Sequence, residues 1–160
     1  MKFTITRTKF LDALQKVQNV VGTRSTLQIL SNALIHAAEG KLQLTTTDLD
    51  ISVQCSVEAD VADEGSTTLP IRRLVGIVRQ LSEQTIEMEI NDEDIATIQC
   101  GSSFFKIIGL PQRDFPPVAA VEGSACYRLE AGVLLDMLRK TSYAVSTDET
   151  RQVLTGLLMS

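Results

Sequence analysis

The chain opens on residues 1–36, MKFTITRTKFLDALQKVQNVVGTRSTLQILSNALIH, and closes on a segment of similar sequence. Aligned without gaps, residues 125–160 read ACYRLEAGVLLDMLRKTSYAVSTDETRQVLTGLLMS. Ten of the 36 aligned positions are identical, including Leu11 with Leu135 and Asp12 with Asp136. Self-similarity at a fixed spacing is typical of repeat architectures. The spacing of 124 residues predicts one complete structural unit followed by the beginning of a second.

A second, shorter repeat lies inside that unit. Residues 1–6 alternate apolar and polar side chains, which predicts a strand, and residues 8–21 carry apolar side chains at helical spacing. After a shift of 64 residues the pattern restarts, with a short strand at 67–69, Pro70 at a helix start and a second helical stripe. Six positions of the two stripes are expected to be buried between helices and sheet: Phe10, Leu14, Val17, Leu74, Val78 and Leu81.

Three strands are predicted after each helix. They span residues 29–38, 42–46 and 51–57 in the first half, and residues 85–90, 95–100 and 104–110 in the second. Residues 63–65 are predicted to form a turn, residues 111–124 a linker, and residues 126–129 and 133–145 a third strand–helix pair. The sequence thus predicts an α+β fold with a repeated strand–helix–three-strand unit. Two helices would pack on one face of two four-stranded antiparallel sheet halves.

Composition narrows the class of protein. A chain of 160 residues with 44% hydrophobic side chains can bury a core of ordinary domain size. Three cysteines (Cys55, Cys100 and Cys126) without a CxxC pair, together with a single histidine, indicate reduced thiols and not a disulfide framework or a zinc site. No signal peptide precedes the first strand and no apolar run reaches membrane-spanning length. These features predict a cytoplasmic location without a membrane partner.

The motifs of enzymes are missing from the sequence. It contains neither a GxxxxGK[ST] phosphate loop nor a GxSxG elbow. The only histidine, His36, lies inside an apolar strand, where a packed or sheet-edge histidine is expected and not a catalytic one. Asp48 with Asp50, and residues 92–94, lie in predicted hairpin turns, where acidic residues are common for reasons of turn geometry. We therefore expect no catalytic residue, no metal site and no cofactor.

Charge is strongly segregated along the chain. Residues 7–20 carry a net charge of +2 and residues 70–82 carry +3, so the remainder must carry −10 for the whole chain to reach −5. At 100° per residue, the basic side chains of the three predicted helices lie opposite the apolar stripes. They are Lys9, Lys16, Arg72, Arg73, Arg79, Arg139 and Lys140. Such a basic face on an acidic protein predicts a polyanionic ligand, although a merely solvated surface gives the same pattern.

Several segments together resemble the bacterial DNA polymerase sliding clamps, the beta subunits of the replicative polymerase. They are MKFTITRTKFLDALQKV (1–17), GTRSTLQILSNALI (22–35), LQLTTTDLDISV (42–53), STTLPIRRLVGIVRQL (66–81), GLPQRDFP (109–116) and STDETRQVLTGLLMS (146–160). The similarity covers the whole chain. Its TTTDLD and LPxxDFP motifs are fairly specific, whereas the helices alone would not be. Gln28 departs from the family, which usually has proline at this position.

The resemblance implies a DNA clamp fold, with a first clamp domain at residues 1–122 and the linker end and incomplete start of a second domain at 123–160. In the family, three such domains follow one another and two chains close head to tail into a ring around duplex DNA. Basic helices facing the hole would attract phosphates without reading bases. A loop arginine of the family falls on Arg24, which is then an expected DNA contact. The implied partners are sequence-independent duplex DNA, a second clamp subunit, the polymerase that the clamp tethers, and the clamp loader.

Two further sites follow from the resemblance. The last strand of the first domain meets the neighbouring subunit, and this assigns Ile77 and Phe105 to a subunit interface. Phe104 and Phe105 are adjacent, so a strand must turn one of them away from the core, and we expect Phe105 to point outward. Leu154 matches a position near the family's peptide-binding groove, most of which lies beyond this chain.

Two alternatives remain open on the sequence alone. A protein–protein scaffold could use the same basic face to bind an acidic partner. A truncated, non-functional clamp relative would keep the fold without closing a ring. Salt-dependent binding of duplex DNA regardless of sequence would favour the clamp over the scaffold.

Overall fold

The strand–helix pairs predicted at the start of the first and second halves are present. The computed structural model describes residues 1–22, 27–82, 84–118, 128–148 and 150–159. The elements of the first half are β1 (Lys2–Thr6), α1 (Arg7–Gln18), a 3₁₀ turn (Gln28–Ser31), β2 (Asn32–Ala38), β3 (Lys41–Thr47), β4 (Ser52–Glu58) and β5 (Asp60–Asp63). Those of the second half are β6 (Gly65–Pro70), α2 (Ile71–Gln80), β7 (Thr85–Ile90), β8 (Ile95–Cys100), β9 (Ser103–Ile108) and a 3₁₀ turn (Gln112–Asp114).

The two halves exchange their first strands. One sheet has the order β5-β1-β7-β8-β9 and the other has the order β4-β3-β2-β6, with antiparallel pairing throughout. Strand β1 therefore lies in the sheet of the second half, and β6 lies in the sheet of the first. Each helix follows a strand of one sheet and leads into the other sheet, which interlocks the halves.

The first sheet has five strands and not the expected four. The segment Asp60–Asp63 pairs with β1 through Phe3↔Val61 and Thr4↔Asp60, although its first three residues had no predicted element and Asp63 was expected in a turn. A short strand with exposed acidic side chains is typical of a sheet edge, where charge discourages pairing with other chains. Its brevity and weak apolar alternation explain why periodicity missed it.

The six core positions expected from the two helical stripes are all buried. Phe10, Leu14, Val17, Leu74 and Val78 have no exposed surface and Leu81 retains 2%. They form one continuous cluster with inward-facing residues of both sheets, such as Ile35, Leu44, Ile86 and Ile98. Both helices thus cover one face of the paired sheets, as the expected α+β fold requires.

A short bridge joins the two sheets at the end of β9. Thr68 of β6 and Leu110 exchange backbone hydrogen bonds of 3.1 and 3.0 Å. Gly109, the residue before Leu110, lies so close to β6 that a Cβ atom added to it would be 2.3 Å from the carbonyl oxygen of Thr68. Only glycine permits this approach, and this gives the first residue of the GLPQRDFP motif a packing role.

The chain divides into two compact units, residues 1–119 and 120–160. In the second unit, α3 spans Ala131–Thr141, and 3₁₀ turns span Ser142–Ala144 and Gln152–Leu154. The terminal repeat is visible in the side chains, because Asp12–Lys16 in α1 and Asp136–Lys140 in α3 form equivalent ion pairs of 2.6 and 2.8 Å. The expected strand at 126–129 is not formed at Arg128 and Leu129, and its other two residues lie outside the described residues. The boundary expected at residue 122 stays a prediction.

Candidate nucleic-acid interface

The basic side chains of the first two helices lie outside the buried faces of those helices. Lys9 and Lys16 of α1 are exposed, whereas the apolar side chains of the same helix are buried. Arg72, Arg73 and Arg79 of α2 are exposed in the same way. The 3.6-residue periodicity explains this division, because residues three or four apart share one side of a helix. All five residues predicted on these two helices therefore have solvent access.

Two of these cations already have acidic neighbours. The Lys16 amine contacts Asp12 one turn earlier at 2.6 Å, and Lys9 contacts Glu58 at 3.1 Å. The hydrogen bond and charge of Asp12 raise the pKa of Lys16, so the amine stays protonated throughout the physiological range. Exposed ion pairs contribute little to stability because water screens them, so a phosphate can replace either carboxylate at little cost.

The ends of the two helices are joined by arginines. The Nη2 of Arg72, in the first turn of α2, donates to the carbonyl oxygen of Val21 just past the end of α1, at 2.9 Å. The Nη1 of Arg7, the first residue of α1, donates to the carbonyl oxygen of Leu81 just past the end of α2, at 2.5 Å. The start of each helix therefore lies at the end of the other, and the two helices run antiparallel.

The remaining predicted contacts lie elsewhere or outside the described residues. Arg139 and Lys140 are exposed on α3 in the second unit. Arg24 falls in residues 23–26, which lie outside the described residues. Leu154 is 53% exposed at the end of a 3₁₀ turn, and its carbonyl accepts a 2.9 Å hydrogen bond from the Ser146 amide. The assignments of these four residues stay predictions.

The edge strand β9 corrects the expected orientation of Phe105. Because side chains alternate along a strand, Phe105 lies on the same sheet face as buried Ile107, and Phe104 lies on the opposite, outer face. Phe104 is 58% exposed, with the amine of Lys106 at 5.9 Å from its ring centroid. Phe105 is still 37% exposed and does not belong to the core cluster. It therefore faces the helix side of a sheet edge and remains available to a neighbour.

Among the described residues, β9 pairs with a neighbouring strand on one side only, apart from the bridge at Leu110. Ile77 of α2 is half-buried and packs against the core. An unpaired strand edge with large exposed apolar side chains is a surface on which another chain can add a strand. The role of Ile77 and Phe105 in such an interface stays a prediction.

The acidic turns have a structural explanation. Asp48 accepts hydrogen bonds from the amides of Asp50 and Ile51, at 3.1 and 2.7 Å, and thereby forms the turn of the TTTDLD motif. In the next acidic turn, Asp94 accepts a 2.7 Å hydrogen bond from the Thr67 hydroxyl. Across the ranges that the structure describes, no group of three or more His, Cys, Asp or Glu side chains is arranged to hold a metal ion. No helix in those ranges is long and apolar enough to cross a membrane.

Comparison with known proteins identifies the family. A family model described as the N-terminal domain of the DNA polymerase III beta subunit matches residues 1–119. The chain belongs to the DNA polymerase III beta subunit family. It is 39% identical over 160 residues to the beta sliding clamp of Chlamydia muridarum, and 30% identical over 165 residues to that of Bacillus subtilis. These alignments cover 100% and 98% of this chain, and 44% of each relative.

Solved structures of sliding clamps have the same fold as this chain. The DNA polymerase sliding clamp of Caulobacter crescentus superposes with a TM-score of 0.92 at 36% identity, over 98% of this chain and 43% of that one. The Bacillus subtilis clamp gives 0.92 at 30% identity, again over 98% and 43%. The chain thus spans less than half the length of the sliding clamps it matches. The DNA clamp fold predicted from the resemblance is confirmed.

Sequence reasoning counted Arg7 in the charge balance but gave it no role. The signal was present, since an arginine opens a helix that has no acidic residue in its first turn. Favourable interaction with the helix dipole calls for the opposite charge there. Lys106, beside Phe104 on the edge strand, was also passed over, because it lies in a strand and not in a basic helix.

Proposed function

We propose that this chain provides the first domain of a sliding clamp, a non-catalytic processivity factor that encircles duplex DNA and tethers the replicative polymerase. The observation that carries the proposal is the exposed basic face of α1 and α2 on an acidic protein of the clamp fold. Exposed cations on helices attract phosphates of any sequence, and the acidic remainder discourages binding elsewhere. The proposed setting is the cytoplasm.

The proposed DNA contacts are Lys9, Lys16, Arg24, Arg72, Arg73, Arg79, Arg139 and Lys140. The resemblance implies that these side chains contact phosphates and not base edges, so the interaction is proposed to be sequence-independent and loose. Loose contact allows a closed ring to slide, because retention comes from encirclement and not from affinity. A single domain makes few phosphate contacts, so the 160-residue chain by itself should bind duplex DNA weakly.

The proposed protein partners are a second clamp subunit, the polymerase and the clamp loader. The free edge of β9 with Phe105, together with Ile77 of α2, would receive the neighbouring subunit. Leu154 would form a small part of the groove that holds partner peptides. These assignments rest on the family resemblance together with the exposure of Phe105 and Leu154.

A chimera tests the proposal. Residues 1–119 of this chain replace the corresponding residues of the Bacillus subtilis beta sliding clamp. The alignment with that clamp covers 98% of this chain. With a clamp loader and ATP, the chimera should remain on nicked circular DNA and be released when the circle is linearised. A chimera that folds and dimerises but leaves circular and linear DNA equally fast would refute the clamp proposal. Tight binding to an acidic protein without DNA retention would favour the scaffold.

A further inference from the structure

The first turns of α1 and α2 break the usual charge rule for helices. The partial positive charge at a helix N-terminus favours acidic side chains, yet neither helix has one in its first turn. Instead, α1 begins with Arg7, and α2 carries Arg72 and Arg73 directly after Ile71. Neither helix has a side-chain cap at its N-terminus. The hydrogen-bond acceptors of Arg7 and Arg72 explain why two of these arginines are found at helix N-termini.

The guanidinium groups of Arg7 and Arg72 reach the opposite ends of the partner helices. Arg72 donates to Val21 at 2.9 Å, and Arg7 donates to Leu81 at 2.5 Å and to Arg79 at 3.5 Å. The last carbonyls of a helix lack partners within the helix and carry partial negative charge, which favours the Arg7 guanidinium at Arg79 and at Leu81, the C-cap of α2. Val21 lies three residues beyond α1, so Arg72 ties α2 to the segment that follows α1. The backbone amide of Arg7 adds a 2.7 Å bond to the carbonyl of Gln84.

We infer that Arg7 and Arg72 are positioning residues that tie α1 and α2 together end to end and hold their basic faces at a fixed spacing. Arg73 lies beside Arg72 in the same turn but is exposed, and within the described part of the chain its guanidinium has no protein acceptor. The inference rests on the proposed function and revises it at one residue, because it moves Arg72 from the DNA contacts to the residues that position them. Arg73 and Arg79 face the phosphates, whereas Arg7 and Arg72 set the geometry of the surface that does so.

The test compares Arg7→Gln and Arg72→Gln with the matched control Arg73→Gln in the 160-residue chain. Each change removes one positive charge at the helix face. Thermal unfolding should lose about 3–6 °C of midpoint in the first two variants, as expected for one lost charge-assisted hydrogen bond, and less than about 1 °C in the control. Equal midpoints for Arg72→Gln and Arg73→Gln would overturn the tie between the helices, whether or not the chain binds DNA.

The second readout is binding to a 20-base-pair duplex at 20 °C between about 25 and 150 mM salt. A lost phosphate contact reduces the slope of log Kobs against log salt by about 0.9. Arg73→Gln should show that reduction. Arg72→Gln should weaken binding about 3- to 10-fold while its slope changes by less than about 0.3. A slope change near 0.9 at Arg72 would make it a direct phosphate contact, and unchanged affinity would make its role purely structural; either result overturns the inference.

Failure of the proposed function gives a different result. If the wild-type chain binds no duplex DNA at low salt, the clamp proposal loses its support in this assay. The comparison of unfolding midpoints then tests the tie between the helices by itself, because unfolding is measured without DNA. Nuclear magnetic resonance spectra of each variant verify that the fold is retained before binding is compared.

Discussion

The hydroxyl of Thr46 donates a 2.6 Å hydrogen bond to the backbone carbonyl of Val17, and both residues are fully buried. Thr46 lies on β3, and Val17 lies in the last turn of α1, where carbonyl groups lack partners within the helix. The bond therefore ties the first helix to the sheet beneath it. It also gives the second threonine of the TTTDLD motif a structural purpose.

Thr46→Val should destabilise the first unit. Valine keeps the shape of threonine but leaves the Val17 carbonyl buried without this donor, which costs about 1–3 kcal/mol. Chemical denaturation monitored by circular dichroism measures the loss. Thr97→Val, on the outer face of β8, is the matched control and should change the free energy of unfolding by less than about 0.5 kcal/mol. Equal effects at the two positions would remove the role assigned to Thr46.

Leu14→Ala and Val78→Ala should each cost about 2–4 kcal/mol, because both side chains are fully buried between the helices and the sheets. Each change removes packed methyl groups and leaves a cavity. Denaturant titration of the purified chain provides the measurement. Losses well below 1 kcal/mol at both positions would mean that the helical stripes do not form a packed core in solution.

Helices and strands with strong periodicity could be predicted from the sequence, and pairing between distant segments could not. The stripes of α1 and α2 were found because Phe10, Leu14, Leu74 and Val78 recur at helical spacing. The exchange of β1 and β6 between sheets leaves no periodic signal, since a strand alternates in the same way whichever neighbour it pairs with.

The same limit applied to the candidate site. Exposure of the basic face followed directly from helix geometry, but the bonds made by Arg7 and Arg72 depend on the antiparallel packing of two helices and span 74 and 51 residues of sequence. The orientation of Phe105 was predicted wrongly by choosing between two adjacent phenylalanines. Residues two apart in a strand share one face of the sheet, so buried Ile107 shows that Phe105 lies on the inner face.

Asp12→Asn should strengthen binding to duplex DNA. The change removes the carboxylate that holds Lys16 at 2.6 Å and frees one cation on the helix face. Affinity at 50 mM salt should rise about 2- to 5-fold, and the salt slope should steepen by up to about 0.9. Asp92→Asn alters the net charge equally but lies in the β7–β8 turn, so it serves as the charge control. An equal gain for both variants would show that only net charge matters.

Phe105→Asp should prevent subunit association without unfolding the domain. The side chain is 37% exposed at an open sheet edge, so a carboxylate there stays hydrated in the free domain but would be buried in an interface. In the chimeric clamp described above, light scattering should report monomers and circular dichroism an unchanged fold. A variant that still dimerises would place the interface elsewhere. Thr97→Asp on the outer face is the control and should remain dimeric.

Titration of the isotope-labelled 160-residue chain with two 20-base-pair duplexes of unrelated sequence tests the central claim most directly. The account predicts fast-exchange shifts confined in the first unit to the outward face of α1 and α2, around Lys9, Lys16, Arg73 and Arg79. The shifts should be the same for both sequences, with a dissociation constant of about 10⁻⁴ M or weaker at 100 mM salt. Shifts centred on the outer face of the sheets, a preference for one sequence, or tight binding that resists salt would contradict it.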